Sequence, residues 1–497
     1  MTSAWDARPT PPVRRIRGGG EAEPAPARRP QRVQLIEARS QPRDEGFTWL
    51  GVDIDGAFAL ALFLPMLYLS QWTSLGAAAI AGLTPLYMFV RRERLLKTLT
   101  PRAFLLLLPA VALFSVVWSI YPKDTLRHAV ELGITVMAGL LISSARNQMA
   151  VLRGIALAYL IYMVHSTVAG GHVVVGVGMG GEAFSGLTES KNLQADIASC
   201  GVIVTTVVVV MALQRRAWMW ALGGFAAIAL DLFNVVGARS AGAMLGLGIA
   251  LVAFAVLIPL VYAGKAVRAW LTTMLAILLP IGALSYQALS QALIGLGAAV
   301  FDKDSTLTGR TYLWYRAADL IREHPILGRG YNAFWVQGNT DAEGLWQYFG
   351  IDGRDGFTFH NTYVQTLVEL GWVGLIAFVL VVGVGGVFLI RRFVTKPTVP
   401  LVFWIGILIY ELVRTPIEVV GVLPFYFSTV YVFGALGAGF KRERGRPAAS
   451  VHAAAAAIAT PVLVSVTPQP AATDRWGRPQ DGRRALRLVQ SRPEDGR

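Results

Sequence analysis

Residues 193–213 read LQADIASCGVIVTTVVVVMAL. A stretch this long and this apolar has the length of a membrane-crossing helix. One end meets Arg215-Arg216; the other meets Glu189, Ser190, Lys191 and Asn192. Basic residues just outside a span mark its cytoplasmic side. Cys200, the one cysteine of the chain, lies inside the stretch. A lone thiol closes no intramolecular disulfide and builds no thiolate metal cluster, so Cys200 reads as a small buried hydrophobe.

Working outward, similar apolar stretches fall at about 57–70, 75–90, 103–120, 126–143, 151–169, 218–236, 241–262, 269–289, 362–390, 399–413 and 422–440. With 193–213 they predict an all-α, polytopic membrane protein of about twelve transmembrane helices. The first two are short and joined by residues 71–74, so one long kinked helix is the alternative there. Basic clusters recur at Arg91-Arg92 with Arg94 and Lys97, at Arg146 and Arg153, at Arg215-Arg216, at Lys265 and Arg268, at Arg391-Arg392 and at Lys441-Arg442. These are alternate loops, which predicts that both termini are cytoplasmic. Of the 497 residues 54% are hydrophobic and 15% charged, too little charge for a soluble surface of that size. The net charge of +14 sits largely in tails and short loops, which argues against a nucleic-acid partner. Residues 1–50 and 441–497 read as disordered cytoplasmic tails flanking a transmembrane domain at 51–440. The first tail lacks the apolar core of a secretory signal.

Residues 290–360 form the one long loop, expected on the outer side. Its many aromatics, among them Tyr312, Trp314, Tyr315, Trp335 and Tyr348, predict a folded cap rather than a linker. No P-loop, metal-ligand spacing or nucleophile elbow occurs, and no cofactor is expected. Polar residues instead gather on the outer side. Arg239, in Ala238-Arg239-Ser240-Ala241-Gly242, sits at the mouth of two apolar helices, either facing a polar cavity or snorkelling to lipid phosphate. Arg310, in Gly309-Arg310-Thr311-Tyr312-Leu313-Trp314, is placed beside a helix start near Thr311, a setting suited to phosphate or to a plain surface cation. His360, in Phe359-His360-Asn361-Thr362-Tyr363, can move protons near neutral pH or simply be an interfacial polar residue with a satisfied hydrogen bond. Glu369 is predicted inside the bilayer, where it needs a partner. Lesser candidates are Glu189, Lys191 and Asn192, and the group Glu411, Arg414 and Glu418, in which Glu411 and Arg414 can be a structural pair. His324 and Arg329 read as a helix end and turn.

Taken in order, Ser185–Asn192, Ala238–Gly242, Gly309–Trp314, His324–Gly330 and His360–Gly374 resemble the O-antigen ligase and O-antigen polymerase superfamily of membrane glycosyltransferases. The rhizobial type of exopolysaccharide polymerase looks closest, and the likeness covers residues 57–440. It implies a GT-C-like fold and metal-independent transfer of a glycan from undecaprenyl diphosphate to an acceptor hydroxyl, at the periplasmic face of the bacterial inner membrane. The acceptor is a second lipid-linked repeat in a polymerase and lipid A-core in a ligase. By motif, Arg239 and Arg310 would bind the diphosphate and His360 would be the base. Lys191, Asn192, Arg329, Asn361, Glu369 and Arg414 would line the substrate. Membrane lipids and other polysaccharide-assembly proteins complete the expected partners. The resemblance leaves Arg414-Thr415-Pro416-Ile417-Glu418 without a matching motif. A polymerase is the first reading, an O-antigen ligase the second. A lipid-linked oligosaccharide flippase, a transporter, is the alternative of another class; it is disfavoured because no repeat with broken midplane helices is visible.

Overall fold

A computed structural model describes residues 48–49, 52–175, 181–188, 190–284, 306–354 and 357–440. The two expected tails, Glu189, the end of the 269–289 stretch from residue 285 and the long loop up to residue 305 lie outside the described residues, apart from the short pair β1 (Thr48–Trp49) and β2 (Val52–Asp53) at the first tail's edge. Each of the twelve apolar stretches is wholly or partly helical. Among the described residues eight helical stretches are long and apolar enough to cross a membrane: Leu69–Val90, Leu95–Val117, Pro122–Ser144, Gln148–Ala169, Lys191–Gln214, Trp218–Gly237, Ala241–Leu260 and Thr362–Thr395. Ile54–Leu67 and Phe427–Gly439 are shorter apolar helices. The protein is a multi-pass, all-α membrane protein.

Helix α1 (Ile54–Leu67) starts where the Asp53 carboxylate accepts from Gly56 N at 3.1 Å, an ordinary N-cap. It breaks at Tyr68, and α2 (Leu69–Val90) is itself kinked at Thr73, with φ 39° and ψ −111°. The first two stretches are thus two helices, as the first reading has them, with a further bend inside the second. The next stretch is composite: α3 (Arg92–Leu99), a 3-10 turn at Thr100–Leu106 and α4 (Leu107–Phe114). Then follow α5 (Pro122–Ser144), α6 (Gln148–Ala169), α7 (Lys191–Gln214), α8 (Trp218–Gly237), α9 (Ala241–Leu260) and α10 (Lys265–Leu284). Between α6 and α7 stands an antiparallel hairpin, β3 (Gly171–Val175) paired with β4 (Gly181–Gly186).

Helix α7 is the axis of the bundle, touching α6, α8, α9 and α14 (Val399–Arg414). Without a hydrophobic drive between helices in lipid, close backbone approach has to supply the contact. Gly56 on α1 and Gly154 on α6 provide one such crossing: a Cβ on Gly56 would stand 2.7 Å from the Ala150 carbonyl oxygen. Gly139 on α5 provides another, against Val430 of α15 (Phe427–Gly439). At one end of the bundle, Arg102 donates to Gly437 O at 2.9 Å and Arg268 to Val394 O at 3.1 Å, while Arg392 bonds Ala438 O.

The cap consists of α11 (Thr306–Glu323) and α12 (Thr340–Phe349), joined by turns. Leu313, Ala317, Leu320, Phe334, Trp346 and Phe359 close its own apolar core. It enters α13 (Thr362–Thr395), which is broken at Gly371, φ 60° and ψ −160°. At the break Trp372 N donates to Pro325 O at 2.9 Å and Val373 N to Ile326 O at 3.1 Å. A few residues away Arg329 N donates to Val368 O at 3.0 Å and Gly330 N to Glu369 O at 2.8 Å. A helix can open its ladder inside a membrane protein only where other protein groups take up the freed donors, and the cap turn does so here.

Candidate active site

Three segments distant in sequence meet at Glu418. Its Oε1 accepts from Arg310 Nη2 at 3.1 Å, and its Oε2 lies 3.2 Å from His360 Nδ1. The Arg310 side chain is 12% exposed, Glu418 22% and His360 31%, so the imidazole is the open face of the cluster. Burial alone would raise the Glu418 carboxyl. The hydrogen bond and charge of His360, with the charges of Arg310 and Arg414, outweigh it and hold Glu418 at about 2.

The backbone delivers His360 with little freedom. Asn361 caps α13, its side-chain oxygen accepting from Tyr363 N at 2.9 Å and Val364 N at 3.1 Å. Its amide also donates to Pro416 O at 3.0 Å. Thr362 bonds to both sides of the acidic turn, donating to Glu418 O and accepting from Val420 N, each at 2.9 Å. Phe359, just before His360, has both backbone groups engaged: its N donates to Gln365 at 3.0 Å and its carbonyl accepts from Trp314 Nε1 at 2.8 Å. His360 itself has φ 48°, a left-handed conformation that a non-glycine residue keeps only under external constraint. Arg239 shares that feature, also at φ 48°.

The structure revises one local expectation. Helix α11 starts at Thr306, not near Thr311, so Arg310 lies within the helix and reaches a carboxylate instead of free N–H groups at a helix start. The pattern Thr-Leu-Thr-Gly holds no strong stop signal, and Gly309 is tolerated inside the helix. Glu369 is buried at 3%; its carbonyl accepts from Gly330 N of the cap turn, and its carboxylate accepts from Gln365 Nε2, one turn earlier on α13, at 2.6 Å. Through Gln365 it is linked to Phe359 and hence to His360. Arg329 is turned into the cap, paired with Glu323 and, at 3.1 Å, with Asp341. Arg414 is buried at 4% between Asp196 at 2.5 Å and Glu411 at 3.4 Å. Tyr410 and Tyr426 complete the shell of Asp196 at 2.9 and 3.3 Å.

Lys191, Asn192 and Arg239 form a second group beside the hairpin. Ser240 Oγ donates to Asn192 at 2.9 Å, and Lys191 Nζ lies 3.5 Å from Arg239 O. Arg239 is exposed and pairs with no carboxylate among the described residues. One residue ties this group to the first: Ile417, next to Glu418, packs where a Cβ on Gly242 would stand. Glu418 is the residue that sequence reasoning undervalued; its only advance signal was an acid just beyond a span.

Residues 226–379 match the family model for O-antigen ligase. This stretch is similar to an O-antigen ligase domain. The matched segment holds Arg239, Arg310 and His360, with Glu418 and Arg414 following it. The chain is also 28% identical over 393 residues to the exopolysaccharide production protein ExoQ of Rhizobium meliloti (strain 1021), across 78% of this chain and 88% of that protein. Together the two matches support an O-antigen ligase/polymerase-like protein and glycan transfer of that type.

Proposed function

We propose that the O-antigen ligase domain transfers a glycan from undecaprenyl diphosphate to an acceptor hydroxyl without a metal, and that it polymerises exopolysaccharide repeats. The observation that carries this is the meeting of Arg310 and His360 on Glu418, at 3.1 and 3.2 Å. A carboxylate only accepts, so His360 donates to it through Nδ1, and in the neutral ring Nε2 keeps the lone pair. The acceptor hydroxyl gives its proton to Nε2 as its oxygen bonds the anomeric carbon. The bond from that carbon to the phosphate oxygen breaks, and both electrons leave with the diphosphate. Arg310 and Arg239 offset the charge that develops there, and guanidinium suits phosphate oxygens bidentately. Lys191 and Asn192, beside Arg239, and Asn361, beside His360, frame the substrate. Glu369 acts through Gln365; Arg414 and Arg329 hold the acidic turn and the cap. The alternate basic loops support a cap facing away from the cytoplasm, in the inner membrane, with both termini inside.

The test is an in vitro assay with purified protein, a lipid-linked repeat unit and EDTA, for wild type, Arg310→Ala and His360→Ala. A glycan ladder from wild type and none from either variant is the expected outcome. Product formed only after lipid A-core is added would make the protein a ligase. No product with either acceptor, while the lipid-linked unit still changes leaflets, would replace transfer with flipping.

A further inference from the structure

Two tyrosines of the cap stand where packing does not account for them. Tyr348 is 62% exposed and Tyr312 36%, yet their rings lie 4.3 Å apart between centroids. Phe349 touches both, at 5.0 Å from Tyr348 and 6.5 Å from Tyr312. Phe349 lies 5.6 Å from Phe357, whose ring meets the His360 imidazole edge to face, at 5.6 Å and 82°. The rings form an unbroken path from the cap surface to His360. The cap core closes without the two tyrosines, around Phe334, Trp346 and Phe359. On α11, Tyr312 is two positions from Arg310 and so projects from the other side of the helix. Arg310 reaches Glu418 and Tyr312 reaches Tyr348.

Exposed rings that keep their hydroxyls in water suit one ligand chemistry well. A pyranose offers a face of weakly positive C–H groups, which stacks on the negative face of an aromatic ring, and a rim of hydroxyls that hydrogen-bond. We propose that the path Tyr348–Tyr312–Phe349–Phe357 is a carbohydrate subsite that seats the acceptor glycan, with its reacting hydroxyl at His360. The acceptor is assigned because the path ends on the group that takes the acceptor proton. This rests on the proposed glycan transfer and adds the place where the sugar chain lies.

The experiment uses full-length protein in nanodiscs and the repeat-unit oligosaccharide freed from its lipid by mild acid. Binding is read by saturation-transfer NMR without donor, and transfer from the lipid-linked donor to the same oligosaccharide is measured separately. The variants are the double changes Tyr312→Ala with Tyr348→Ala, and Tyr312→Phe with Tyr348→Phe. Loss of two stacking rings is expected to weaken binding and raise the acceptor KM by about tenfold, with kcat within about twofold, while the double Phe protein keeps most of the affinity. If wild type and the double Ala protein bind the oligosaccharide alike, or if wild type does not bind it, the subsite is wrong. Tyrosines that merely anchor the cap to lipid headgroups would give equal binding. Ring-dependent binding with no transfer by wild type would keep the subsite and remove the transfer reading.

Discussion

Glu418 accepts on both oxygens, from Arg310 and from His360, and its carboxyl is held at about 2. Glu418→Gln keeps the shape but can donate to Nδ1 and so turn the imidazole to the wrong tautomer. The expected loss in transfer rate is at least about a hundredfold, read from initial rates beside an unchanged elution profile. The pH dependence has a definite sign. The folded value lies below the roughly 4.3 of an unfolded Glu, so the stabilisation is fully present above that pH and is lost as pH falls through about 2. The melting difference between wild type and Glu418→Gln should therefore hold steady from neutral pH down to about 5 and shrink only below it. A difference that instead vanished between neutral pH and about 5 would contradict the ion cluster.

At the scale of elements, the break in α13 positions the His360 helix. Gly371 has φ 60° and ψ −160°, a region that side chains rarely enter, and a Cβ there would strike the Ile326 carbonyl. Gly371→Ala should cost roughly 1–3 kcal/mol and lower the detergent-solubilised melting temperature. Gly383→Ala, on the same helix with nothing within 4 Å of its Cβ, is the control expected to change little. Neither the break nor the acidic turn was legible in sequence. The run from Glu369 to Gly374 reads as apolar helix because one glycine carries no visible stop. Glu418 is 58 residues from His360, and no local periodicity encodes a pairing that distant. What was legible lived in hydrophobic length: the twelve stretches, and the turns at Lys191 and Arg239 that face each other across their ends.

For the whole molecule, the buried network around Arg414 locks α14 to α7. One guanidinium serves two carboxylates, Asp196 and Glu411, both at most 1% exposed. Arg414→Met would leave two acids in the bundle without a cation, at roughly 3–5 kcal/mol, and monodisperse yield should collapse. Adding Asp196→Asn and Glu411→Gln should restore much of it. An acid inside an apolar stretch was a signal available at Asp196 from the start, since such a group implies a partner. Orientation is testable through Cys200, which is buried and so leaves the protein silent to bulky thiol reagents. Asp352→Cys, on the cap, should label with an impermeant maleimide in intact cells. Arg216→Cys, at the opposite end, should label only after the membrane is opened.

The four backbone bonds between the cap turn and α13, Arg329 to Val368, Gly330 to Glu369, Trp372 to Pro325 and Val373 to Ile326, carry one more consequence. A span whose ladder is completed by another segment cannot let that segment go without exposing its own amides to lipid. Cap and span therefore form one cooperative unit, with a shared opening free energy. Deuterium should enter the amides of Gly330 and Trp372 at a common rate, and a detergent that loosens the bundle should release the cap in the same transition.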